Sequence, residues 1–274
     1  MLTGPHKTRS CGALIFKEMI VKNSDMISRL QRLKKNRSYG EDLTGTDISG
    51  ILIENVSLRN AKLDGADLSR SHLIQVDLSG ANLNGADLRG TNFELTNLEG
   101  AVLDNVKADR SIFTQCRFSG SRFLNAVFGW AMFRVCDCER ADFSNTNFSR
   151  AKLLNSFFGN AIFSNTQLLG ATTFASSFPN AQLESAMNFF RSREMIAEIL
   201  QPYVEDDMER AKLVGAILTA RQVCFGKWKT LLASQTEYRD LAMKIFKGYP
   251  YSGLERALRE GWTPAVIAAV QDES

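Results

Sequence analysis

The sequence predicts a mainly β solenoid followed by a small all-α domain, and three observations carry that prediction. From Leu43 to Leu183 almost every fifth residue is Leu, Ile or Phe. After the first of these, the residue two places before each is small or β-branched. From about Ala186 both regularities stop and helix signals begin. A five-residue period fits neither the 3.6 of a helix nor the 2 of a single strand. The chain must turn to return every fifth side chain to the same environment, so each five residues form one side and one corner.

The repeat centres run Leu43, Ile48, Ile53, Leu58, Leu63 and onward to Leu103, then continue mainly as Phe from Phe113 to Phe163. Ala108, Cys138 and Thr173 depart clearly from the pattern. Ala61, Ala66, Ser71, Val76 and Ala81 precede their centres by two places, and Asp or Asn often stands between, as in Ala66-Asp67-Leu68. Gly45, Gly50, Gly65, Gly80, Gly85 and Gly90 recur at the corner, where tight turns and positive φ favour glycine. These residues resemble the pentapeptide-repeat family, whose consensus is close to A(D/N)LXX, over residues 41–185. The resemblance implies a right-handed quadrilateral β-helix of about seven coils, four repeats to a coil, stacked as parallel strands about 4.8 Å apart. It also implies that each centre and the small residue before it point inward. Packing agrees, because only a small side chain can share a narrow interior with a stacked Leu or Phe.

Three segments follow: a basic cap over 1–40, the solenoid over 41–185 and a helical domain over 186–274. In the first, Ser24 suits an N-cap for a helix carrying Met26, Ile27, Leu30 and Leu33. In the third, Phe189, Phe190, Ile196 and Leu200 precede Pro202, and Asp206 and Asp207 suit the positive start of a longer helix through Val214, Ile217, Leu218 and Phe225. Thr263-Pro264 opens a last helix. Solenoid ends expose paired-strand edges and apolar surface, and both flanks are candidates to cover them.

Composition excludes some classes of function. The 274 residues are 44% hydrophobic and 23% charged, ordinary for a folded protein, and no run approaches the roughly eighteen apolar residues of a membrane span. The short run Ala13-Leu14-Ile15-Phe16 is broken by Lys17 and Glu18, unlike an export signal. Five cysteines without metal spacing fit a reducing compartment, so a cytoplasmic, bacterial setting is the expectation. The net charge of +3 conceals an asymmetry: nine Lys/Arg against two Asp/Glu in 1–40, but twelve against sixteen in 41–185. The basic excess, with Lys34, Lys35 and Arg37, reads as a solvated end, and nucleic acid is disfavoured as a partner.

The residues offer little for catalysis. Only two histidines exist, His6 and His72, so no Ser-His-Asp or Cys-His set assembles. Asp67 and Asp87 recur at one register and read as turn residues. Cys116 and Cys136 are twenty residues apart and so stack in adjacent coils, near Cys138; at inward positions they read as buried free thiols. No catalytic residue, cofactor or metal is expected. The leading reading is a non-enzymatic protein–protein interaction scaffold whose partner is a protein or a second copy of the chain. Through the family resemblance an alternative arises, a DNA-mimicking binder of a type II topoisomerase (gyrase), which the modest charge of the rod disfavours. A remote alternative, from a few bacterial effectors with a similar β-helix, is a ubiquitin ligase using Cys224.

Every fourth repeat returns to one side of the rod, and one side stands out. Around the centres Ile53, Leu73, Phe93, Phe113, Phe133, Leu153 and Thr173, six of fourteen flanking positions are apolar: Leu52, Ile74, Ile112, Met132, Leu154 and Phe174. The other sides have three of sixteen, two of fourteen and one of fourteen, so this side is the expected partner-binding face, extended by Trp130 and Val135 at adjoining corners. Removing residues 186–274 should expose the end of the rod and produce aggregation or end-to-end association; a monodisperse monomer of 1–185 in sedimentation would contradict that capping role.

Overall fold

In the computed structural model, residues 39–187 are described, together with Met195, Ile199, Ile245 and residues 247–249. The expected N-terminal cap helix and most of the expected helical domain lie outside the described residues. The described chain is a four-sided parallel β-solenoid. Its bridges join residues twenty apart on every side, from Tyr39↔Arg59 to Gln167↔Met187.

Two sets of backbone hydrogen bonds hold the coils together. Each centre donates its N–H to the coil above, as Leu63 does to the Asn82 carbonyl at 2.7 Å, and each residue before a centre donates to the coil below, as Lys62 does to Glu41 at 2.8 Å. The backbone is therefore satisfied between coils rather than within a strand. On three sides the corner closes with a further bond, for example Ala66 N–H to the Leu63 carbonyl at 3.0 Å. The Asp or Asn before the centre reinforces it from outside: Asp67 Oδ1 accepts the Ser69 N–H at 2.8 Å and Asn82 Oδ1 that of Asn84 at 3.1 Å. That local bond explains why these side chains recur at the position.

The fourth side is different. There the chain is extended over three residues per coil, forming β1 (Leu52–Glu54), β2 (His72–Ile74), β3 (Asn92–Glu94), β4 (Ile112–Thr114), β5 (Met132–Arg134) and β6 (Lys152–Leu154). These pair in order as one six-stranded parallel sheet, and its corners bend without the closing turn bond. The inward residues that follow are Val56, Val76, Thr96, Cys116, Cys136, Ser156 and Ser176, with no alanine among them. Their hydroxyl or thiol groups reach back to centre carbonyls of the preceding coil: Thr96 to Leu73 at 3.3 Å, Cys136 Sγ to Phe113 at 3.4 Å and Ser176 to Leu153 at 3.0 Å. Residues larger than alanine also follow closed corners, as Thr91 and Thr146 do, and Ser176 on this side follows one, its N–H bonded to the Thr173 carbonyl at 3.0 Å.

The interior is a continuous apolar column. All centres from Leu43 to Leu183 except Thr173 belong to the buried hydrophobic core, and Thr173 is itself buried. In its second half, phenylalanines stack coil on coil: Phe123 on Phe143 with centroids 4.7 Å apart, Phe143 on Phe163 at 5.3 Å, and Phe158 on Phe178 at 4.9 Å. Met195, Ile199 and Ile245 are helical, buried and part of the same hydrophobic cluster, so residues beyond the repeats contribute to this core. Among the described residues no helix is long and apolar enough to cross a membrane. Phe143 touches Phe148 as well as its two stacking partners, so Phe143→Ala should leave a cavity and cost about 3–5 kcal/mol. An unchanged melting temperature would contradict its placement in the column.

Candidate partner-binding face

The register of the sheet sets which side chains share a surface. One outward row runs Leu52, His72, Asn92, Ile112, Met132, Lys152, and the next runs Glu54, Ile74, Glu94, Thr114, Arg134, Leu154. Residues adjacent in a row lie on adjacent strands, about 4.8 Å apart. Ile112 and Met132 are thus neighbours, with Trp130 at the corner leading into β5 and Val135 at the corner leaving it. Leu154 and Phe174 form a second group in the second row, and Leu52 and Ile74 stand apart near the first coils. Charged Glu54, Glu94, Arg134 and Lys152 separate these groups. The sheet brings together Ile112, Trp130, Met132 and Val135 as the densest apolar cluster.

Exposure distinguishes the members. Leu52, Ile112 and Phe174 are exposed, as are Trp130 (58%) and Val135 (48%), whereas Ile74, Met132 and Leu154 are partly covered. Leu95, one corner position not anticipated from the sequence, is also exposed and lies two coils below Val135. Three of these side chains sit on left-handed backbone: Leu95 at φ 52°, Trp130 at 59° and Val135 at 56°. Asparagine and glycine adopt that region readily, but a β-branched residue is a genuine outlier there. The solenoid imposes this conformation at every corner, so what sets these three apart is an exposed apolar side chain where asparagine or glycine is usual.

The other candidate groups take simpler places. His72 is exposed at the start of β2. Cys116, Cys136 and Cys138 are free and buried, and burial pushes the Cys116 and Cys138 thiols well above their ordinary range. Such protonated thiols are poor nucleophiles. Cys224 lies outside the described residues. Among the described residues no group of His, Cys, Asp and Glu could hold a metal ion.

One feature of the surface escaped the sequence reading. The corner preceding the sheet carries Gly50, Arg70, Gly90, Arg110, Trp130, Arg150 and Gly170, each twenty residues from the next. Arg70, Arg89, Gly90, Asp109, Arg110 and Trp130 border a groove of about 620 Å³. Arg150 completes the corner with its guanidinium carbon 4.9 Å from the Trp130 ring centroid, a cation–π contact. Arg89 is engaged elsewhere: its Nε donates to Asp87 at 2.9 Å, and that bond holds the Asp87 carboxyl below its usual range. The signal was available as basic residues at multiples of twenty, but a search by apolar content passes over it.

With the geometry described, its kinship is plain. The family model described as pentapeptide repeats matches in eight copies over residues 42–75, 52–90, 77–115, 111–150 and 141–172. The solenoid of this chain belongs to the pentapeptide-repeat family. Solved structures that resemble it include QnrB1, a plasmid-mediated fluoroquinolone resistance protein, at 25% identity, covering 53% of this chain and 84% of that one with a TM-score of 0.32. HetL, a pentapeptide repeat protein involved in heterocyst differentiation regulation from the cyanobacterium Nostoc sp., is 22% identical over 54% of this chain and 83% of its own, with a TM-score of 0.20. Rfr23 from the cyanobacterium Cyanothece is 20% identical over 57% of this chain and 98% of its own, with a TM-score of 0.28. Likenesses of this degree carry no argument about a partner. None of the curated proteins matches the chain.

Replacing Val135 by Asn tests the strained corner. Relief of the left-handed strain should raise stability by about 1 kcal/mol, read as an increased melting temperature. An unchanged or lower melting temperature would show that Val135 packing outweighs the strain.

Proposed function

We propose that this chain is a non-enzymatic scaffold for protein–protein interaction and that the β1–β6 face is its docking surface. The observation that carries the reading is the coincidence, on one flat side of the rod, of an ordered six-stranded sheet with exposed Leu52, Ile112, Trp130, Val135 and Phe174. A stacked solenoid is ordered before it meets a partner, so binding costs little in lost conformational freedom. Apolar residues grouped on such a surface favour being covered. The cover is a second copy of the chain, a foreign protein, or the chain's own residues after 187.

The alternative of a DNA-mimicking topoisomerase binder needs a continuous negative rod. Residues 41–185 carry sixteen acidic and twelve basic side chains, and the arginine corner interrupts the negative potential beside the sheet. That distribution favours the scaffold reading. Supercoiling by a purified type II topoisomerase should be unaffected by the protein on this view.

Met132→Glu places a charge in the densest apolar cluster. The expected result is loss of self-association or partner capture with an unchanged melting temperature, because Met132 then faces another chain. A lowered melting temperature with association intact would reassign the face to cover by the chain's own residues. If neither quantity changes, the face is not an interface.

A further inference from the structure

We propose that the arginine corner is a second, distinct binding site, which takes a short acidic segment of a polypeptide partner; this deepens the scaffold reading and rests on it. Arg70 and Arg110 stand two coils apart on the same corner, as do Arg110 and Arg150, so each interval is about 10 Å. Among the described residues none of these three arginines makes an ion pair, whereas Arg59, Arg89, Arg117, Arg122 and Arg140 each face a carboxylate within salt-bridge distance. Of the four solenoid arginines without an ion pair among the described residues, all but Arg134 stand on this one edge.

The residues between them leave room for a ligand. Gly90, at φ +67°, presents no side chain between Arg70 and Arg110, and a Cβ there would lie 3.9 Å from Arg70 Cγ, in contact with the arginine stem. Gly90 and both arginines line the groove of about 620 Å³. Trp130 forms one wall, and Arg150 lies against its ring. Guanidinium groups pair with carboxylates through two parallel hydrogen bonds, and the exposed indole supplies apolar contact area beside them. Gly50 and Gly170 end the basic row.

The dimensions select the class of ligand. The row ends at Gly50 and Gly170, so a long polyanion following the rod would leave the basic corner after a few coils. A segment with two or three carboxylates matches the three arginines and stops within the row. Asp109 borders the groove and opposes an acidic ligand, so its removal and the removal of an arginine should act in opposite directions.

The test uses the full chain and a short fluorescein-labelled oligoglutamate, followed by anisotropy, with oligoglutamine as neutral control and oligothymidylate as competing polyanion. Oligoglutamate should bind, oligoglutamine should not, and binding should weaken as salt rises. Arg70→Glu with Arg110→Glu should weaken it by about tenfold or more, and Asp109→Asn should tighten it. Arg117→Glu, on another side of the rod, should leave it unchanged. Absence of oligoglutamate binding, equal affinity in the Arg70/Arg110 variant, or preference for oligothymidylate would each overturn the proposal. Because Met132 lies outside the groove lining, these outcomes leave the sheet-face reading to be judged on its own variant, so the two fail separately.

Discussion

A left-handed backbone corner every fifth residue, with a side chain filling a narrow interior two positions before it, is the constraint on which the rest of this protein depends. Corner residues from Gly40 to Asn180 all hold positive φ, and nineteen of them are not glycine. A single such residue is disfavoured by about 1–2 kcal/mol for an L-amino acid, and asparagine, the commonest of the nineteen, lessens that cost. Inter-coil hydrogen bonds and burial of the centres offset it. The corners in turn set the twenty-residue coil, and the coil sets every stacking relation, from the Phe123–Phe143–Phe163 column to the neighbours on each outer face.

The sides of the rod are not equivalent, and the difference traces to one hydrogen bond. Where the inward residue closes the turn on its centre carbonyl, the corner is tight and alanine is common. Where that bond is missing, the chain extends into β1–β6, and Val, Thr, Cys or Ser occupies the inward position that follows. The same side carries most of the exposed apolar residues. Flat sheet, relaxed corner and apolar exterior therefore occur together, and strained Val135 borders the surface they create.

Charge matters here by position rather than by total. The repeat segment is mildly acidic as a whole, yet most of its carboxylates serve local ends: Asp67 and Asp77 bond backbone N–H groups in their own turns, and Asp104 accepts from both the Arg122 guanidinium and the Leu124 N–H. Among the described residues Arg70, Arg110 and Arg150 have no such engagement, and stacking sets them in a row beside Trp130. The apolar sheet and the basic corner share Trp130 as their border, so one edge of the rod carries two chemistries.

The solenoid was legible in the sequence because its determinants are local and periodic: Leu or Phe every fifth residue, a small residue two before, and Asp or Asn between. Those features also located the inward cysteines and the apolar side, since a fixed coil of twenty converts residue number directly into position. Absence of alanine in the column from Val56 to Ser176 was equally visible, and the structure shows that six of these seven residues, Val56 to Ser156, follow the open corners of β1–β6. What only the tertiary structure decided was exposure and neighbourhood: that Ile74, Met132 and Leu154 are partly covered while Trp130 and Val135 are not, that charged residues divide the apolar side, and that Arg70, Gly90, Arg110 and Trp130 border one groove. These depend on side-chain directions and on contacts between coils, which repeat spacing orders along the rod but does not resolve around it.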